Sequence, residues 1–210
     1  MFFTSPQGLL RRKGIPAGAH SAIGGIELLD IITLSSDVQD VTFGAGGDGV
    51  HGTALDGDVD DTYILVSRFP PEFSDSEYYF EMRPNGISTN QASRNLNATG
   101  TGYAQLGQPA SMRLLEVAGA HIRTAQSRAE ISAKTGSMRT MRTRSSFLRN
   151  FGGLTMFFSN DGWWTDTTTN ITSLVIHSHG IGGSLGGEGA AGDFIKSGSE
   201  FKLYRRGVWL

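Results

Sequence analysis

The sequence predicts an all-β chain, a jelly-roll or β-sandwich of antiparallel strands with long glycine-rich loops and an extended N-terminal arm. Three observations carry this. Roughly nine or ten short runs of β-branched, aromatic and aliphatic residues are separated by turn signals, with no long amphipathic helix among them. Gly accounts for 29 of 210 residues and Pro for only 6, which suits tight turns and close strands better than a linker. The regular alternation of strand and helix that marks a dinucleotide-type α/β fold is missing. The expected organisation is an arm over residues 1–27 and one sandwich domain over 28–210.

The chain is punctuated in order. Residues 1–27 carry Pro6, Gly8, Gly14, Pro16, Gly18, Gly24 and Gly25 with isolated anchors at Phe2, Phe3, Leu9 and Leu10. The stretch reads either as a frayed terminus or as an extended arm that orders by lying on a neighbouring subunit, and exposed aromatics at a chain end are better explained by docking than by solvation. Ile26–Leu34 and Val38–Phe43 are the first strand candidates, although Glu27, Leu28, Leu29, Ile31 and Ile32 could also make a helical turn. Gly44–Thr53 holds five glycines and reads as a loop. The acidic run Asp56–Asp61 extends that connection as a solvated turn. Tyr63–Val66 is a short apolar run, expected as a central strand covered on both faces and ended by Pro70 and Pro71.

Tyr78–Met82 is the next strand, closed by the turn signal Pro84-Asn85-Gly86. Residues 88–110 are polar and read as a long surface loop. Arg113–Val117, His121–Thr124, Ala129–Ala133 and Met138–Phe147 follow as strands. In the last, Arg139, Met141, Thr143 and Ser145 alternate with Thr140, Arg142, Arg144 and Ser146, so neither side is apolar and an edge or surface strand is expected. Gly152–Ser159 is a strand leading to a loop with Asn160, Asp161, Gly162, Trp163 and Trp164. Ile171–Ser178 and Glu200–Arg205 close the set, on either side of Gly180–Gly192 with its seven glycines.

Composition narrows the function. Hydrophobic residues at 38% and charged residues at 18% argue against a coiled coil or a charge-driven disordered chain. With no Cys, disulfides, thiolate metal sites and cysteine catalysis are excluded. A net charge of −2 gives no bulk attraction to nucleic acid or anionic membrane. No apolar run approaches the roughly 20 residues that span a bilayer. Arg11, Arg12 and Lys13 are not followed by a hydrophobic region, so no signal peptide is expected. The charge is uneven: between Arg113 and Arg149 eight Lys/Arg stand against Glu116 and Glu130, and the remainder is acidic. That segment lacks the interleaved aromatics of single-strand binding, so an acidic neighbouring subunit suits it better than nucleic acid.

Asp56-Gly57-Asp58-Val59-Asp60-Asp61 resembles part of a calcium loop, but the EF-hand pattern needs Gly where Asp61 stands and Glu where Ser67 stands. A solvated acidic turn is the simpler reading. His177 and His179 share a strand face, the spacing of a metal pair, while His20, His51 and His121 are scattered. Surface or packing histidines are the commoner case. Gly187-Glu188-Gly189-Ala190-Ala191-Gly192 matches a nucleotide-loop spacing but opens no helix. No Gly-x-Ser-x-Gly elbow is present. Trp163 and Trp164 beside Asp161 and Asp166 could form a sugar-stacking platform.

The strand pattern resembles that of jelly-roll virion structural proteins of tailed bacteriophages, of the tail, adaptor or capsid-decorating type. The resemblance rests on three stretches across roughly residues 28–206. They are Leu55-Asp56-Gly57 through Tyr63-Ile64-Leu65-Val66 with Pro84-Asn85-Gly86; the polar ladder ending Ala129–Phe147; and Ile171–Ile176 with Gly198-Ser199-Glu200-Phe201-Lys202-Leu203-Tyr204-Arg205. It implies a non-enzymatic protein of the virion, assembled in the host cytoplasm, without cofactor, partnered by copies of itself and by other virion proteins. Phe2, Phe3, Arg139, Arg142, Arg144, Trp163, Trp164 and Trp209 are the expected interface residues, since aromatics and arginines anchor such contacts. The alternative is a carbohydrate-binding module of a receptor-binding tail protein, with a surface glycan as partner. A hydrolase ranks last.

Overall fold

A computed structural model describes residues 25–70, 78–99, 102–106, 112–117, 122–149, 155–180 and 194–206. Phe2, Phe3 and most of the expected arm, the glycine run after Gly180 with its Gly187–Gly192 motif, and Trp209 lie outside the described residues. The fold is all-β, in two antiparallel sheets. The larger holds β1 (Ile26–Thr33), β12 (Glu200–Arg206), β3 (Thr62–Phe69), β8 (Ile122–Ser132), β9 (Arg139–Arg149), β10 (Thr155–Trp164), β5 (Gln91–Thr99) and β6 (Gly102–Leu106), in that lateral order. The smaller runs β2 (Asp40–Gly44), β11 (Ser173–Gly180), β4 (Tyr78–Pro84) and β7 (Met112–Val117). A single turn of helix, α1 (Gly57–Asp60), precedes β3.

Both sheets feed one apolar core, because each strand alternates inward and outward side chains. Tyr63, Leu65 and Phe69 from β3, Phe201 and Leu203 from β12 and Met141 from β9 belong to it with Phe80 and Met82 of β4 and Leu174 and Ile176 of β11. Phe69 stacks on Phe80 at 4.7 Å and meets Phe201 edge-on at 5.6 Å, tying the two sheets together. Asn85 and Gly86 take positive φ of 52° and 71°, as the turn after β4 requires.

Several expectations are corrected. The polar stretch 88–110 is not one long loop: β5 and β6 form within it as a hairpin, and β5 pairs with β10 from Gln91↔Trp164 to Ala98↔Phe157. Backbone pairing at the end of a sheet needs no apolar alternation, so the sequence pattern was silent there. The segment from Arg139 is not an edge strand, since β9 lies between β8 and β10. Of its small inward side chains, Ser145 Oγ donates to the Leu114 carbonyl at 2.9 Å, while Thr143 Oγ1 is buried without a hydrogen-bond partner among the described residues. Asn160–Trp164 is the end of β10, not a loop. Gly162 reads as a turn residue but serves a close approach, because a Cβ there would meet Met112 Cγ at 3.0 Å.

Residues 122–132 form one strand with a register shift between Ile122 and Thr124 instead of two separate strands. In β3 only Ile64 is buried on the outward side, while Val66 and Arg68 are exposed, so the apolar run is covered on both faces only near its start. The acidic turn is likewise not wholly solvated. Asp56 caps α1, its Oδ1 accepting from the Asp58 and Val59 amides at 3.1 and 3.3 Å. Asp60 turns inward, accepting from Tyr63 Oη at 2.7 Å and from Arg205 Nη1 at 2.9 Å.

Candidate functional site

The outer face of the larger sheet concentrates the charge. Register places Val66 opposite Arg128, Arg128 opposite Arg144 and Arg144 opposite Ser159, one continuous row across β3, β8, β9 and β10. Arg68 stands one outward position further along β3. Arg68, Arg128 and Arg144 are exposed, and among the described residues none makes an ion pair or a hydrogen bond. Like charges directly opposite on paired strands repel, at a cost of a few tenths of a kcal/mol to about 1 kcal/mol. The next row has the opposite character. Glu130, Arg142 and Asp161 alternate in sign; Arg142 Nε donates to Asp161 Oδ1 at 3.1 Å, and Arg206 Nη1 to Glu130 Oε1 at 2.6 Å. A groove of about 480 Å³ opens over this second row, lined among others by Thr62, Ser132, Thr140 and Trp163.

The expected interface residues separate. Arg142 and Arg144 are exposed on this outer face. Arg139 is not: it points inward and is 1% exposed, donating from Nε to the Ala133 carbonyl at 3.1 Å and from Nη1 to the Asp166 carbonyl at 2.5 Å. It closes the fold from inside and offers no surface. Trp163 and Trp164 are successive residues of one strand, so they face opposite ways. Trp164 is fully buried with the Arg139 guanidinium 5.0 Å from its ring centroid, whereas Trp163 is half-buried beside the groove. A platform of two adjacent indoles is therefore not formed.

A second polar cluster lies on the outer face of the smaller sheet. Phe80 and Met82 enter the core, so Tyr79, Glu81 and Arg83 point the other way. Glu81 is 3% exposed and held by Arg83 Nε and by His179 Nε2 at 3.3 Å. Burial pushes its pKa up, but these two partners outweigh that and leave it below the ordinary glutamate value. His177 Nδ1 meets Asp40 Oδ1 at 2.6 Å, and the His177 and His179 rings touch edge to face at 4.5 Å. His177 Nε2 is buried without a hydrogen-bond partner among the described residues. The two histidines do share a face, as their spacing indicates. Among the described residues no group of three His, Asp or Glu is arranged to hold a metal ion.

The sequence pattern showed the two histidines but not their partners Glu81, Arg83 and Asp40, because the members come from three strands. The signal for Glu81 was its place between two core residues of β4, an alternation that sends it outward. Asp58 of the acidic turn is likewise committed to its own chain, bonding the Thr135 amide and hydroxyl at 2.9 and 2.5 Å. These two bonds lower its pKa. No protein-family model, no curated protein and no solved structure matches the chain.

Proposed function

We propose that this chain is a structural protein of a bacteriophage virion, a tail, adaptor or capsid-decorating component, and that it works by homo-oligomeric assembly and not by catalysis. The assembling body is a jelly-roll sandwich in this reading, and the strand pairing supports it. With the hairpins β5–β6 and β9–β10 set aside, the remaining eight strands pair first with last, second with seventh, third with sixth and fourth with fifth. One long hairpin wound into two sheets has that pattern. The two extra hairpins lengthen one side of the larger sheet.

The observation that carries assembly is the opposed, unpaired couple Arg128–Arg144 with Arg68 beside it. Its repulsion is relieved when carboxylates of another molecule insert between the guanidiniums. The chain supplies such groups itself: from Leu34 to Asp61 it has seven Asp and no Lys or Arg. Asp40 and Asp48 of that stretch are exposed, and Asp40 belongs to the smaller sheet, away from the basic face. Unlike surfaces on opposite sides join head to tail, a heterologous contact that closes into a ring when the rotation allows.

Light scattering on the purified chain tests this. A multiple of the chain mass is expected at about 0.1 M salt, falling towards one chain near 1 M, where the Debye length drops from about 10 to about 3 Å. Arg128→Glu with Arg144→Glu should give a single chain at either salt. A wild-type monomer under all conditions, or an unchanged oligomer in the double variant, overturns the assembly reading. Absence of the chain from purified particles overturns the virion assignment.

A further inference from the structure

We infer that the groove beside Trp163 is a binding site for a neutral saccharide. The proposal is independent of assembly and uses a different part of the sheet. The groove offers three kinds of group side by side. Trp163, opposite Thr140 on the neighbouring strand, supplies an apolar aromatic wall. Thr62, Ser132 and Thr140 supply hydroxyls that both donate and accept. Glu130 and Asp161 supply carboxylates, each accepting one hydrogen bond, from Arg206 and Arg142 respectively, and each keeping its second oxygen for another donor.

A pyranose matches this set. One face of the ring carries only C–H groups and packs on an aromatic surface. Its hydroxyls donate to carboxylates, and charge-assisted bonds of that kind are the stronger ones. Its ring and hydroxyl oxygens accept from Arg142 and from the threonine hydroxyls. Other ligand classes fit less well. A phosphate or carboxylate would face two carboxylates, while Arg142 and Arg206 are already paired to them. A purely apolar ligand would leave those carboxylates stripped of water. At about 480 Å³ the groove falls in the range of small-molecule sites and has room for a short oligosaccharide.

The test is saturation-transfer NMR and calorimetry of the full chain against a panel of neutral sugars: glucose, galactose, mannose, N-acetylglucosamine and their common disaccharides. Binding of at least one sugar is expected, with Kd on the order of 0.1–1 mM. Trp163→Ala should weaken it at least about tenfold and Trp163→Phe much less. Asp161→Asn, an exposed change that spares packing, should weaken it about tenfold. Val50→Ser, at an exposed position outside the groove, should leave it unchanged. No binding by any sugar of the panel, or binding that survives both Trp163→Ala and Asp161→Asn, overturns the proposal.

Discussion

Arg139 gives the sharpest test of how the chain is held together. Replacing it by alanine removes two hydrogen bonds from a charged donor, each contributing about 1.5–3 kcal/mol. It also removes a buried cation–π contact with Trp164 of about 2 kcal/mol. Against this stands the recovered hydration of a buried cation, several kcal/mol. The net expectation is a loss of about 3 kcal/mol, or about 6–12 °C in Tm for a chain of this length. Urea melts followed by tryptophan fluorescence, at fixed protein concentration, read it directly, since Trp164 reports on the site. Arg142→Ala on the same strand removes an exposed pair and should cost at most about 1 kcal/mol. A loss below about 1 kcal/mol for Arg139→Ala, or equal losses for the two variants, refutes the assignment of Arg139 to the interior.

Two further outcomes follow from buried carboxylates. Asp60→Ala should destabilise by about 3–5 kcal/mol, because the Tyr63 hydroxyl and the Arg205 guanidinium lose a shared acceptor. Tyr63→Phe in the same chain should add less than its separate cost in denaturant melts, and full additivity would argue against the shared site. Glu81 has a folded pKa below its ordinary value of 4.5, so its contribution to stability is present above that pH and is lost as the pH falls through the lower folded value. Melts between about pH 6 and pH 2 should therefore show a shallower acid limb for Glu81→Gln than for wild type. Parallel limbs would mean that the Arg83 and His179 contacts do not hold the charge.

How much of this was legible in the sequence depends on what each strand buries. Tyr63–Phe69 and Glu200–Arg206 announced themselves through aliphatic and aromatic residues, and their limits follow from Pro70 and Gly198. Gln91–Thr99 did not, since Asn95 and Asn97 carry no apolar period and the strand is specified by backbone pairing to β10. Arg139 misled because charge on a strand usually marks an exposed face. Here the inward side is closed by a guanidinium bonded to two carbonyls, an arrangement that depends on residues six and 27 positions away. The Trp163–Trp164 pair misled for a simpler reason. Reading it as loop allowed both rings to point one way, and a strand forbids that.

The pairing of β1 with β12 brings Ile26 opposite Arg206. Whatever chain lies before the one and after the other leaves from the same corner of the molecule. Labels attached beside Ile26 and beside Arg206 would thus mark a single location on the molecule, and two dyes placed there would report energy transfer only once folding is complete. That junction joins residues 180 positions apart in sequence (206 − 26), so its closure is expected to be the slow, late event of folding.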